Sequence, residues 1–150
     1  MKKIILIILL TLLTHCGYTS LYQDVGKVNI NISVENMDGD NNLNNLIRSQ
    51  LQRYKSKESD KRFLINLNSK YSKLVLTKDK TGSATVSLLS AKTIFEVKFK
   101  EKNYKYIFEE SLNLNNSSNS NEQSNYEDIV KRTFAESMKD KLILKLIELK

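Results

Sequence analysis

Hydrophobic and polar positions first alternate at Val28, Ile30, Ile32 and Val34, with Asn29, Asn31 and Ser33 between them. That period of two predicts a half-buried strand. Asp38-Gly39-Asp40 ends it and offers a helix cap. Leu43, Leu46, Ile47, Leu51 and Tyr54 then fall at helical spacing among Arg48, Gln50, Gln52 and Arg53, predicting an amphipathic helix ending near Lys55. After a charged loop, Ser56 to Arg62, a second strand carries Phe63, Ile65 and Leu67, and then Leu74 and Leu76 in the opposite parity. A bulge near Asn68 to Lys73 would reconcile the two halves.

Lys78-Asp79-Lys80-Thr81-Gly82 reads as a turn, with Gly where positive φ is needed. A third strand, Ala84 to Lys100, places Val86 and Leu88 in one parity and Phe95, Val97 and Phe99 in the other, which suggests a second bulge near Ser90 to Lys92. Glu101-Lys102-Asn103 makes a tight hairpin into a fourth strand with Tyr104, Tyr106, Phe108, Leu112 and Leu114 on one face. Asn115 to Asn125 is nearly all Asn, Ser, Glu and Gln and reads as a solvated loop. Ser124-x-x-Glu127 then offers a capping box for a last helix. Its stripe is Tyr126, Val130, Phe134, Met138, Leu142, Leu146 and Leu149, widened by Ile129, Leu144 and Ile147.

The order β-α-β-β-β-α predicts an α+β two-layer sandwich, with a four-stranded, mostly antiparallel sheet packed against two amphipathic helices. The last three strands form a meander, and the first pairs after a helical crossover.

The N-terminus changes the picture. Lys2 and Lys3 precede Ile4 to Leu13, a run of ten residues of which nine are Ile or Leu. A spanning helix needs about 20 apolar residues, so the run fits a signal peptide's core instead. It ends in Leu13-Thr14-His15-Cys16, which resembles a bacterial lipobox, although His15 stands where Gly, Ala or Ser is usual. The resemblance implies cleavage before Cys16, diacylglycerol on its thiol and an acyl chain on the new amine. The alternatives are an uncleaved anchor, or an ordinary signal with a stray Cys. Residues 1–15 are thus expected to be a signal peptide, 16–27 a lipidated tether, and 28–150 one α+β domain. Gly17, in place of the Asp that commonly retains lipoproteins at the inner membrane, favours the outer membrane.

Composition narrows the chemistry. Cys16 is the only Cys and His15 the only His, so the mature domain has no Ser-His or Cys-His nucleophile, His-based metal site or thiol couple. Glu109 and Glu110 are adjacent on a strand and so point to opposite faces. No enzyme activity is expected, and no cofactor beyond the lipid. Losing Lys2 and Lys3 lowers the net charge from +7 to +5, which suits an anionic lipid more than nucleic acid in an exported protein.

The start of the mature chain, Cys16-Gly17-Tyr18-Thr19-Ser20-Leu21-Tyr22, resembles the opening of alphaproteobacterial members of the lipopolysaccharide (LPS)-assembly lipoprotein family LptE. Ser20 replaces the usual Pro. The element order, the Thr81-Gly82 turn and the final helix, with Tyr126-Glu127-Asp128 before Lys131-Arg132, are also similar. The resemblance implies a plug in the lumen of the outer-membrane barrel LptD, bound one to one, which assists its assembly and binds LPS in transit. Lys78 and Lys80 at the hairpin tip are then candidates for lipid A phosphates, followed by Arg62 and Lys92. Solvated turn charges are the plainer account of each, and core packing the plainer account of Tyr104 and Tyr106. Another function class stays open: an outer-membrane accessory lipoprotein of a different lipid or efflux transporter, or of another barrel-assembly system.

Overall fold

The computed structural model describes residues 29–55 and 59–149. The signal segment, Cys16, the tether and Val28 lie outside them, as does part of the loop before the second strand. Strand β1 (Asn31–Gly39) is followed by helix α1 (Asn41–Leu51) and a 3-10 turn (Gln52–Tyr54). Strands β2 (Arg62–Lys78), β3 (Ala84–Phe99) and β4 (Lys102–Asn115) come next, and helix α2 (Ser120–Glu148) closes the domain. The strands lie in chain order, with β1–β2 parallel and the other two pairs antiparallel. A parallel neighbour needs a crossover, and α1 provides it. The fold is the expected α+β sandwich.

Alternation drives the layering. Phe63, Ile65 and Leu67 of β2 and Phe95, Val97 and Phe99 of β3 all point to one face and are buried under the helices. Leu43, Ile47 and Leu51 of α1 and Phe134, Met138 and Leu142 of α2 cover them. Phe63 and Phe99 are register partners whose rings stack at 4.6 Å. A buried polar cluster fixes the β1–α1 corner. The Asp40 carboxylate caps α1 by accepting from the Leu43 amide at 2.8 Å, which stabilises a helix by about 1 kcal/mol. The Asn44 side chain donates to the Asp38 carbonyl at 2.7 Å, and the Ser69 hydroxyl donates to Asn44 Oδ1 at 2.7 Å. Gly39 sits there at φ +86, and a Cβ on it would lie 1.9 Å from the Ser69 carbonyl oxygen.

Four expectations are corrected. The β2–β3 register is unbroken from Phe63–Phe99 to Val75–Ser87, and the β3–β4 register from Phe99–Lys102 to Val86–Asn115. No bulge lies at Asn68–Lys73 or Ser90–Lys92; the β2–β3 register shifts between Val75 and Thr77, where Leu76 has no partner, and again between Thr77 and Lys78. The change of parity is a real change of face, because the strands outrun the helix layer and no single buried face constrains them there. The hairpin turn is Lys100-Glu101, one position earlier, with Lys100 at φ 56. Helix α2 begins at Ser120, capped by the Asn119 side chain, so Ser124 is interior and the loop is short. Finally, Ile129, Leu144 and Ile147 are exposed, and Ile143 widens the buried stripe instead.

Candidate functional site

Helix α1 starts beside Ser69, whose carbonyl accepts from the Asp40 amide at 2.7 Å. From there β2 continues for nine residues, to Lys78. The first turns of α2 reach this arm. Lys73 is ion-paired to Glu127, and Lys131 Nζ lies 4.6 Å from the centre of the Tyr71 ring. Burial, with the carboxylates of Glu127, Asp40 and Asp128 around it, pushes the Tyr71 hydroxyl up to about 12, so it stays protonated. Burial also pushes Glu127 up. Hydrogen bonds from Lys73 and Gln123, with the charges of Lys73 and Lys131, outweigh it and hold the carboxyl below its usual range.

Beyond Lys73 the β2 side of the hairpin is no longer covered, although Ser87 on β3 is still buried. Leu74 is 60% exposed, Val75 40% and Leu76 46%. Val86 and Leu88 on β3 are half-buried, and Leu88 is the partner of Leu74. Scattered surface apolar residues need no account, but a contiguous set at a projecting end marks a contact surface.

The tip is built around Asp79. Its carboxylate accepts from the Thr81 amide (2.8 Å), the Thr81 hydroxyl (2.6 Å) and the Ser83 amide (2.9 Å). The Thr81 hydroxyl, then the Ser83 amide, hold that carboxyl below its usual range despite some desolvation. Gly82 completes the turn at φ +87. One acid is thus committed to the backbone, while Lys78 and Lys80 flank it and are exposed.

The structure brings together two of the four candidate lysines and arginines. Lys78 and Lys80 share the tip. Arg62 opens β2 at its other end, about 50 Å away at strand rise. Lys92 lies on the sheet's open face, opposite Lys70, and pairs with Glu109 at 2.6 Å. Both stand apart from the tip. Tyr104 and Tyr106 pack against the core, as the plainer account has it. Glu109 and Glu110 do face opposite ways: Glu110 meets Ser137 at 2.5 Å and Lys141 at 2.6 Å on the helix side. Among the described residues no group of three or more His, Cys, Asp or Glu is placed to hold a metal, and no helix is long and apolar enough to cross a membrane.

A bulge would turn these leucines into the core, which is why the period-two pattern hides the exposed apolar arm. The run Leu74-Val75-Leu76 carries the signal that would have found it: three apolar residues in succession cannot all face one side of a strand.

No protein-family model matches the chain, and neither does any curated protein. Solved structures share its fold. Rare lipoprotein B from Shewanella oneidensis is 13% identical, with a TM-score of 0.56 over 76% of this chain and 93% of that one. A chain described as a lipoprotein from Caulobacter crescentus is 12% identical, with a TM-score of 0.53 over 77% of this chain and 87% of that one. At such identities the likeness shows the fold alone.

Proposed function

We propose that the chain is an outer-membrane lipoprotein, anchored through lipid on Cys16, that plugs and helps assemble the LPS-translocating barrel LptD and receives LPS at the β2–β3 hairpin. The observation that carries this is the hairpin arm. Leu74, Val75 and Leu76 are exposed within a few residues of Lys78 and Lys80, so one projecting element offers apolar surface and cations side by side. That pairing matches a phosphorylated amphiphile: acyl chains gain from covering the leucines, and phosphates from charge-assisted hydrogen bonds with the lysines. The fold is compatible with a lipoprotein, since the chain shares it with rare lipoprotein B from Shewanella oneidensis. The short lipobox-like segment ending at Cys16 supplies the anchor, and multiple acyl chains make it stable.

The test is LPS binding by the full chain in mild detergent, comparing the unaltered protein with Lys78→Glu/Lys80→Glu. A lysine near an anionic surface contributes about 1 kcal/mol, so removing two weakens binding roughly 30-fold, and charge reversal weakens it further. Both side chains are exposed, so the fold stays intact. Unchanged affinity would remove the hairpin from the account.

A further inference from the structure

We propose that the outer edge of β4 pairs with β4 of a second copy of this chain, antiparallel and two-fold about Ile107, joining the two sheets into one. The pairing concerns the lipoprotein outside a barrel, and its test needs no barrel. Among the described residues the sheet ends at β4, a strand of 14 residues whose ladder to β3 runs without a shift. A long, regular edge is a template for another strand unless something covers it or its charges repel a partner. The charges here are arranged to accept one. About Ile107, Lys105 of each chain faces Glu109 of the other, and Asn103 faces Ser111. Tyr106 faces Phe108, and Tyr104 faces Glu110. No like charges are opposed, whereas a parallel in-register pairing would set Lys105 against Lys105 and Glu109 against Glu109.

Exposure points the same way. Ile107 is 51% exposed on the open face, where its β3 partner is Ile94, and the two-fold register sets it against its own copy. Lys105 and Glu109 already lean on β3, toward Glu96 at 3.7 Å and Lys92 at 2.6 Å, but all four side chains are about half exposed or more. Opposed residues share a face, so pairing about a single residue keeps both chains' helices on one side. There α2 offers a second contact. Ser137 and Lys141 both reach Glu110 of β4. Leu144, three residues after Lys141 and therefore on the same flank, is 62% exposed. Side-by-side copies of α2 would cover it.

The test uses the full chain in mild detergent, with a short bismaleimide and with the unaltered protein, whose only cysteine is Cys16, as background. Ile107→Cys is expected to give a covalent dimer well above that background. Asn103→Cys and Ser111→Cys are each expected to give none alone, because like positions lie about 27 Å apart in this register, but to crosslink when the two proteins are mixed. Lys105→Glu should abolish the dimer through Ile107→Cys, and adding Glu109→Lys should restore it, with the circular dichroism spectrum unchanged throughout. No dimer at position 107, or equal dimer at 103 alone, would each overturn the inference.

Discussion

Replacing Gly39 with Ala separates two costs that are often merged. At φ +86 any side chain is strained, by about 1–2 kcal/mol for an L-residue in left-handed backbone. Gly82, at φ +87, carries the same strain, but a Cβ there meets nothing within 4 Å. At Gly39 the Cβ would instead lie 1.9 Å from the Ser69 carbonyl oxygen, which is backbone and cannot swing aside. β1 and β2 must part, and that oxygen is the acceptor of the Asp40 amide at 2.7 Å. The buried bonds from Ser69 to Asn44 and from Asn44 to the Asp38 carbonyl depend on the same alignment. Losing one or two of these contributions, at about 1 kcal/mol each, brings the total to roughly 2–4 kcal/mol. That is a large part of the 5–15 kcal/mol typical of a domain. Urea denaturation of the full chain, followed by circular dichroism, should therefore place Gly39→Ala about 1–2 kcal/mol below Gly82→Ala. Equal losses at the two sites would show that the corner is not tight and would refute the steric part of the reasoning.

Lys100 takes a left-handed φ of 56 in the two-residue β3–β4 turn. Lys100→Gly should raise stability by about 1 kcal/mol, less the stacking of Lys100 Nζ over Phe99 at 5.1 Å, and a lower midpoint would contradict the strain. Glu110 is pushed up by partial burial, but hydrogen bonds from Lys141 and Ser137 outweigh it and leave its pKa lowered in the folded state. Its contribution is therefore full above the unfolded carboxylate value of about 4.3 and is lost as pH falls through the lower folded value. Glu110→Gln should flatten that acid limb; an unaltered pH profile would remove the linkage. Leu74→Ser/Leu76→Ser should leave stability within about 1 kcal/mol, because both sites are exposed, yet weaken LPS binding roughly tenfold. Affinity that tracked stability instead would make the arm structural.

Much of the fold was legible because period two and period 3.6 follow from burial of one face. Ile32 and Val34, the α1 stripe, Phe63 to Leu67 and Tyr104 to Phe108 all lie where their spacing places them. Asp40 was also legible as a cap, since a carboxylate ahead of an apolar periodic run satisfies amides that the helix leaves open. Failures arose where the premise of one buried face lapsed. Past Lys73 the β2 side of the hairpin loses its helix cover, so Leu74 and Leu76 change face without a bulge. The first turns of α2 bury little, so Ser120 to Asn125 has a loop's composition while forming helix. Of the candidate site, the lysines at the tip were legible from the turn itself. Its apolar half was not, because it depends on how far the strands outrun the helices.

The proposed plug role requires a barrel partner. A mild-detergent pull-down from the outer-membrane fraction with a C-terminally tagged full chain tests it most directly. Recovery of one large barrel protein in roughly equal amount, lost on denaturation, is the predicted result. Recovery of an inner-membrane transporter, or of no barrel at all, would contradict it.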